Sequence, residues 1–126
     1  MNYLNSYFYG MKKIYHLATC DTCRKILKEV EAVEKGAELQ DIKTQKITPA
    51  QLDEMKKMAG SYEALFSRRS MQYKARGLAG KELSENDYRD LILEEYTFLK
   101  RPVAIIGKQI FIGNDKKTVE ALKAAL

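Results

Sequence analysis

Two cysteines stand close together in Cys20-Asp21-Thr22-Cys23, and the chain's one histidine, His16, precedes the first of them by four residues. A Cys-x-x-Cys pair at the start of a helix, beside a β-α-β pattern, points to thiol–disulfide chemistry. The first cysteine would lie at or just before the helix N-terminus. Unpaired backbone N–H groups and the positive end of the helix dipole there favour the thiolate, which is the nucleophilic form. The second cysteine, one turn on, can attack the mixed disulfide that the first one forms. A protonated His16 would lower the thiol pKa further, and a neutral one would serve as a base. Blander readings stand beside these: two small buried apolar side chains, half of a zinc site completed by a second chain, and a histidine that merely packs at a strand end.

A second group of residues suits anions. From Ser67 to Lys81 the chain carries Arg68, Arg69, Lys74, Arg76 and Lys81 and no acid. Further on, Arg101 directly precedes Pro102. A guanidinium presents rigid paired donors to a tetrahedral oxyanion and keeps its charge at every relevant pH. The alternatives are solvated surface charge for Arg68 and Arg69, and pairing with helix-end carbonyls for Arg101.

The elements that must position these groups are legible in outline. Residues 12–16, with Leu17, read as a short strand. A helix is expected from Asp21 to Lys35, with Ile26, Leu27, Val30 and Val33 at helical spacing and Gly36 as its stop. Residues 38–43 read as a second, weaker strand. Thr48-Pro49-Ala50-Gln51 combines a threonine cap, a first-turn proline and a capping-box glutamine, so a helix should run to Ala59 and stop at Gly60. Ser61 opens a short helix to Phe66, and Ser84 with Asp87 caps another that holds Leu91, Ile92 and Leu93. Residues 103–106 are a strand, Gly107-Lys108-Gln109 a turn, and residues 110–112 the returning strand. Asn114 or Asp115 opens a final helix. The order predicts an α/β fold with a mixed sheet: β-α-β, a helical insertion between Lys43 and Phe98, a β-hairpin and a C-terminal helix.

The 126 residues suit one domain over 11–126, with residues 1–10 an uncertain lead; translation from Met1 or Met11, or an extra edge strand from Tyr3, Tyr7, Phe8 and Tyr9, all fit this lead. With 45% hydrophobic and 31% charged residues, the chain is a packed globule rather than a disordered one. One histidine and two cysteines are too few for a structural zinc site within one chain, so no metal is expected. There is no secretory signal pattern and no bilayer-length apolar run, so the expected location is cytoplasmic, without a membrane partner. The net charge of +5 comes largely from mixed-charge helix faces, and no helix-turn-helix reader is recognisable, so direct DNA binding is not expected.

Three segments carry a resemblance to the arsenate reductase family, which includes the Spx-type regulators. KIYHLATCDTCRKIL keeps a His-x-x-x-Cys spacing in His16 and Cys20; LFSRRSMQYKARGL resembles the segment around an anion-binding arginine; FLKRPVAIIGKQIFIG resembles the Arg-Pro segment that leads into a strand. The match runs from Met11 to Leu126. It implies a thioredoxin-like fold, Cys20 as catalytic cysteine, Arg69 (or its neighbour Arg68) and Arg101 as oxyanion ligands converging on it, and a cis bond before Pro102. It also implies a small oxyanion or thiol substrate, no bound cofactor, and glutathione with glutaredoxin, or thioredoxin, as reductant. Two departures matter. Gly113 stands where a third anion-binding arginine is expected, and Cys23 resembles the Spx arrangement. The leading expectation is a thiol-disulfide oxidoreductase with Cys23 as resolving thiol. The alternative is an Spx-like redox sensor that binds RNA polymerase.

Overall fold

Lys12–His16 form strand β1, with Ile14 and Tyr15 both buried as in a strand covered on two faces, and it pairs in parallel with β2 (Glu38–Asp41). On its other side β1 runs antiparallel to β3 (Val103–Ile106), and β3 continues antiparallel into β4 (Gln109–Ile112). The sheet order is β2-β1-β3-β4, a mixed four-stranded sheet of thioredoxin-like type. The computed structural model describes residues 10–126; the edge strand weighed for Tyr3 to Tyr9 lies outside the described residues.

Two compact units divide the chain. One contains the sheet and comprises the described residues through Gln45 together with Arg101–Leu126; the other is Lys46–Lys100. The expected insertion, 43–98, is thus the second unit to within three residues at either end.

In the sheet unit, register sets one row of side chains across all four strands: Leu39, Ile14, Ala104 and Phe111. Against this face pack Ile26 and Val30, from helix α1 (Asp21–Glu29) and its C-cap, and Val119 and Leu122, from the C-terminal helix (Lys116–Ala125). Every residue of β3 is buried, as expected of an interior strand apolar on both faces. The two-residue loop after it places Gly107 at a φ of 61° with Lys108 in an ordinary conformation, which is the glycine-first pattern of a tight hairpin. Gln109 therefore belongs to β4 and not to the turn.

Helix α1 stops six residues earlier than its apolar spacing suggests. Val30 is the C-cap, and Glu31 takes a left-handed φ of 55°. The N–H of Ala32 then donates to the Leu27 carbonyl and that of Glu31 to the Lys28 carbonyl, closing the helix with a Schellman pair of bonds. The turn puts Ala32 fully into the core and turns Val33 out to 66% exposure.

The second unit begins with helix α2 (Pro49–Ala59), whose Thr48–Gln51 capping box is present in both directions, and Gly60 ends it. A single 3-10 turn, Glu63–Leu65, follows where a short helix was expected. Helix α3 (Met71–Ala75) comes next, and α4 (Glu85–Glu94) is capped reciprocally by Ser84 and Asp87. Phe66 lies among Tyr73, Tyr88 and Phe98, with ring centroids 6.1, 4.9 and 5.0 Å away. The two ends of the unit are tied by bonds from the Ser67 N–H to the Phe98 carbonyl and from the Lys100 N–H to the Leu65 carbonyl. The C-terminal helix, α5, is capped by Asp115. Among the described residues no helix is long and apolar enough to cross a membrane.

Candidate active site

The loop between β1 and α1 is short because it closes on itself: the Cys20 N–H donates to the Leu17 carbonyl at 3.0 Å. This brings Cys20 to the N-cap of α1 in an extended conformation (φ −94°, ψ 117°), while its own carbonyl accepts from the Arg24 N–H. Serine, threonine or aspartate usually occupies that position, because a side-chain acceptor there satisfies the free N–H groups two and three residues on. Here those groups belong to Thr22 and Cys23, and the sulfur of an ionised Cys20 would be their acceptor.

Opposing forces act on the Cys20 thiol. Partial burial works against its ionisation. The N–H of Cys23, the Cys23 thiol, the N–H of Thr22 and the charge of Arg101 all favour it, and together they hold the Cys20 pKa below its ordinary value. The thiol makes no full capping bond in its neutral state, so these groups chiefly reward the anion.

Cys23 sits on the inward side of the same turn and is only 1% exposed. Its thiol is pushed up to about 11, first by burial and then by the neighbouring Cys20 charge and hydrogen bond; the Leu17 N–H and Arg101 pull the other way without prevailing. Two chemically identical side chains are thus separated into an accessible, acidic thiol and a buried, reluctant one. Both are free thiols.

Arg101 ends the segment leading into β3, and the Arg101–Pro102 peptide bond is cis. Its charge acts on both cysteines, so Cys20, Cys23 and Arg101 form one electrostatic group within the sheet unit. His16 ends β1 in register with Asp41 of β2. Burial lowers its pKa, Asp41 only partly offsets this, and the imidazole is therefore neutral near pH 7. Its Nδ1 is buried with no hydrogen-bond partner among the described residues. Asp41, the charge that acts on His16, was not singled out in the sequence. Strand register alone brings together two residues so far apart in the chain.

Arg68 and Arg69 lie in the Lys46–Lys100 unit. The Arg68 guanidinium donates to Glu63 at 2.8 Å and to the Tyr88 hydroxyl at 2.9 Å, and it stacks near the rings of Phe66 and Tyr88. Arg76 of the same acid-free window pairs with Glu94 at 3.9 Å and lies over Phe98. Acids outside the window thus neutralise two of its five charges. Arg69 is exposed. Gly113, where a third arginine was expected, has a φ of 94° and donates its N–H to the Pro102 carbonyl at 2.9 Å. Among the described residues no three histidine, cysteine or acidic side chains are grouped to hold a metal ion.

The fold is shared with solved structures. The chain is similar to an arsenate reductase from Vibrio cholerae, with a TM-score of 0.74 and 18% identity over 92% of this chain and 98% of that one. It is similar to the protein SACOL0876 from Staphylococcus aureus, with a TM-score of 0.70 and 26% identity over 88% and 97% of the two chains. An arsenate reductase (ArsC) related protein from Brucella melitensis gives a TM-score of 0.66 and 22% identity over 88% and 92%. Among curated proteins nothing matches. The model of the ArsC family matches residues 15–122, which span the Cys20 loop, Arg101 and most of α5, and the chain belongs to the ArsC family.

Proposed function

We propose that the protein is a thiol-dependent reductase of arsenate-reductase type, with Cys20 as nucleophile, Cys23 as resolving thiol and Arg101 as a ligand for an anionic substrate. One observation carries this reading: a partly exposed cysteine of lowered pKa at a helix N-terminus, backed one turn on by a buried cysteine of raised pKa, with Arg101 acting on both.

With arsenate as substrate, the two thiols supply the two electrons of the reduction. The Cys20 thiolate attacks arsenic, and one oxygen leaves as water after protonation. Cys23 then attacks the Cys20 sulfur. The sulfur–arsenic bond breaks with its electron pair on arsenic, giving arsenite and a Cys20–Cys23 disulfide. One arsenate and two thiols become one arsenite, one disulfide and one water. With a disulfide substrate the same two steps release two thiols. The raised pKa of Cys23 suits its place in the order. Part of the rise comes from the Cys20 negative charge, and that charge disappears once Cys20 is bonded to substrate. An external thiol, glutathione with glutaredoxin or thioredoxin, restores the pair. A cytoplasmic location would supply these reductants.

The second cysteine also suits an Spx-like redox sensor that binds RNA polymerase, in which the Cys20–Cys23 disulfide is the signal. Arsenate-dependent NADPH oxidation, run with a glutathione/glutaredoxin system and separately with a thioredoxin system, tests the enzyme reading. Turnover lost in Cys20→Ser supports it. No turnover with either system, together with polymerase captured only by the oxidised protein, would replace it with the sensor reading.

A further inference from the structure

Asp21 places a carboxylate on the residue directly after Cys20. An acid in the first turn suits the helix dipole, yet an anion beside a thiol opposes that thiol's ionisation. Arg24 stands in the next turn. Its Nη2 pairs with the Asp21 carboxylate, and its Nη1 donates to the Ala18 carbonyl at 2.7 Å. Ala18 lies inside the turn that the Cys20 N–H closes onto Leu17. The guanidinium therefore reaches back past the N-cap and joins a residue before Cys20 to one after it. Exposed ion pairs one helical turn apart are common and contribute little to stability. The second bond, to a carbonyl of the Cys20 turn itself, distinguishes this one.

We propose that Arg24 is a positioning residue for Cys20: by clasping Asp21 to the Ala18 carbonyl it neutralises the adjacent carboxylate and keeps Cys20 a competent nucleophile. The inference rests on the reading of Cys20 as the attacking thiol. Charged and titratable groups on the elements that meet at Cys20 include Asp21, Arg24, Lys25 and Lys28 on its own helix, Cys23 one turn on, Arg101 ahead of β3, and His16 with Asp41 at the ends of β1 and β2. Of the charged side chains, Arg101 acts most strongly on Cys20.

The test is the pH dependence of iodoacetamide labelling at Cys20 in the reduced full-length protein, read by peptide mass spectrometry. Wild type, Arg24→Ala, Arg24→Lys and the double variant Arg24→Ala/Asp21→Asn are compared, with a circular-dichroism melt for each. Arg24→Ala should raise the labelling midpoint by on the order of half a pH unit, about a threefold loss of thiolate below the midpoint. Arg24→Lys, which keeps the charge but not the fork, should shift it less. Adding Asp21→Asn to Arg24→Ala should recover most of the shift. An unchanged midpoint in Arg24→Ala, or a shift that Asp21→Asn leaves in full, overturns the proposal. If Arg24→Ala does not fold, Arg24→Lys decides: an upward shift supports the clasp, and its absence overturns it. A wild-type Cys20 midpoint no lower than a free thiol's would overturn the nucleophile reading instead, which the comparison between variants does not address.

Discussion

Gly113→Arg is the substitution that would supply the third arginine of the proposed anion site, and the backbone opposes it. A Cβ at Gly113 would meet no atom within 4 Å, so there is room for a side chain. The obstacle is the φ of 94°, which lies in the left-handed region that L-residues avoid. Holding a residue with a Cβ there costs about 1–3 kcal/mol. For a chain of this size that is a fall in Tm of roughly 3–12 °C, if each kcal/mol moves Tm by about 3–4 °C. The strain can be relieved only by rotating the peptide, and that would weaken the bond from the Gly113 N–H to the Pro102 carbonyl, next to Arg101. Against this, a charge-assisted hydrogen bond from a new guanidinium is worth about 1.5–3 kcal/mol, or roughly ten- to a hundredfold in anion affinity. The two effects fall on different observables. Gly113→Arg should melt lower than wild type, and Gly113→Asn should lose less, because asparagine tolerates positive φ. Circular-dichroism melts of the three proteins, with arsenate titrations alongside, measure both. A Gly113→Arg protein that melts at or above wild type would refute the conformational argument.

Three further outcomes are expected. Mild peroxide should convert Cys20 and Cys23 into an intramolecular disulfide, seen as the loss of two hydrogens within one chain; a predominantly intermolecular dimer would contradict the resolving role of Cys23. Arg101→Ala should raise the Cys20 labelling midpoint and weaken arsenate binding, since the Arg101 charge favours the Cys20 thiolate; unchanged anion affinity would remove Arg101 from the substrate site. Asp53, which accepts from Arg89 and from the Tyr62 hydroxyl, has its pKa held at about 2 by these bonds. A depressed folded-state pKa contributes stability that is present above the unfolded value, near 3.8, and lost as pH falls toward 2. The Tm of Asp53→Asn should therefore depend less on pH between 4 and 2 than that of wild type, and parallel Tm–pH curves would refute the assignment.

How far the sequence could be read depended on how local the signal was. Thr48 with Gln51, Ser84 with Asp87, and the Gly107 hairpin are set by neighbours within three or four residues, and each lies where the pattern placed it. The end of α1 was not legible. Gly36 is the residue type that stops helices, whereas the observed stop uses Glu31 in a conformation rarely taken by a side-chain-bearing residue, with Ala32 buried in return. Helix α3 was missed because five residues carry too little periodicity, although Ser70 caps it. At the site, the Cys20–Cys23 spacing suggested a nucleophile and a resolving thiol. The helix N-terminus that favours the Cys20 thiolate was legible, whereas the burial that raises the Cys23 pKa comes from core packing and has no local sequence signal. The partner of His16 depends on the β1–β2 register, and the reach of Arg24 to the Ala18 carbonyl depends on the shape of the loop. The charges of Arg68 and Arg76 read as free in an acid-free window, yet Glu63 and Glu94 meet them from outside it.

Cys20 and Cys23 form a contrasting pair: the N-terminus of α1 and Arg101 make the first thiol acidic, and burial makes the second reluctant. Residue-resolved alkylation of the reduced protein across pH 5 to 11, followed by mass spectrometry of the Cys20–Cys23 peptide, measures it directly. Cys20 should be labelled with a midpoint below that of a free cysteine, about 8.5, and Cys23 only at clearly higher pH, because burial still holds its thiol up after the Cys20 charge is gone. Equal midpoints, or labelling of Cys23 before Cys20, would contradict it.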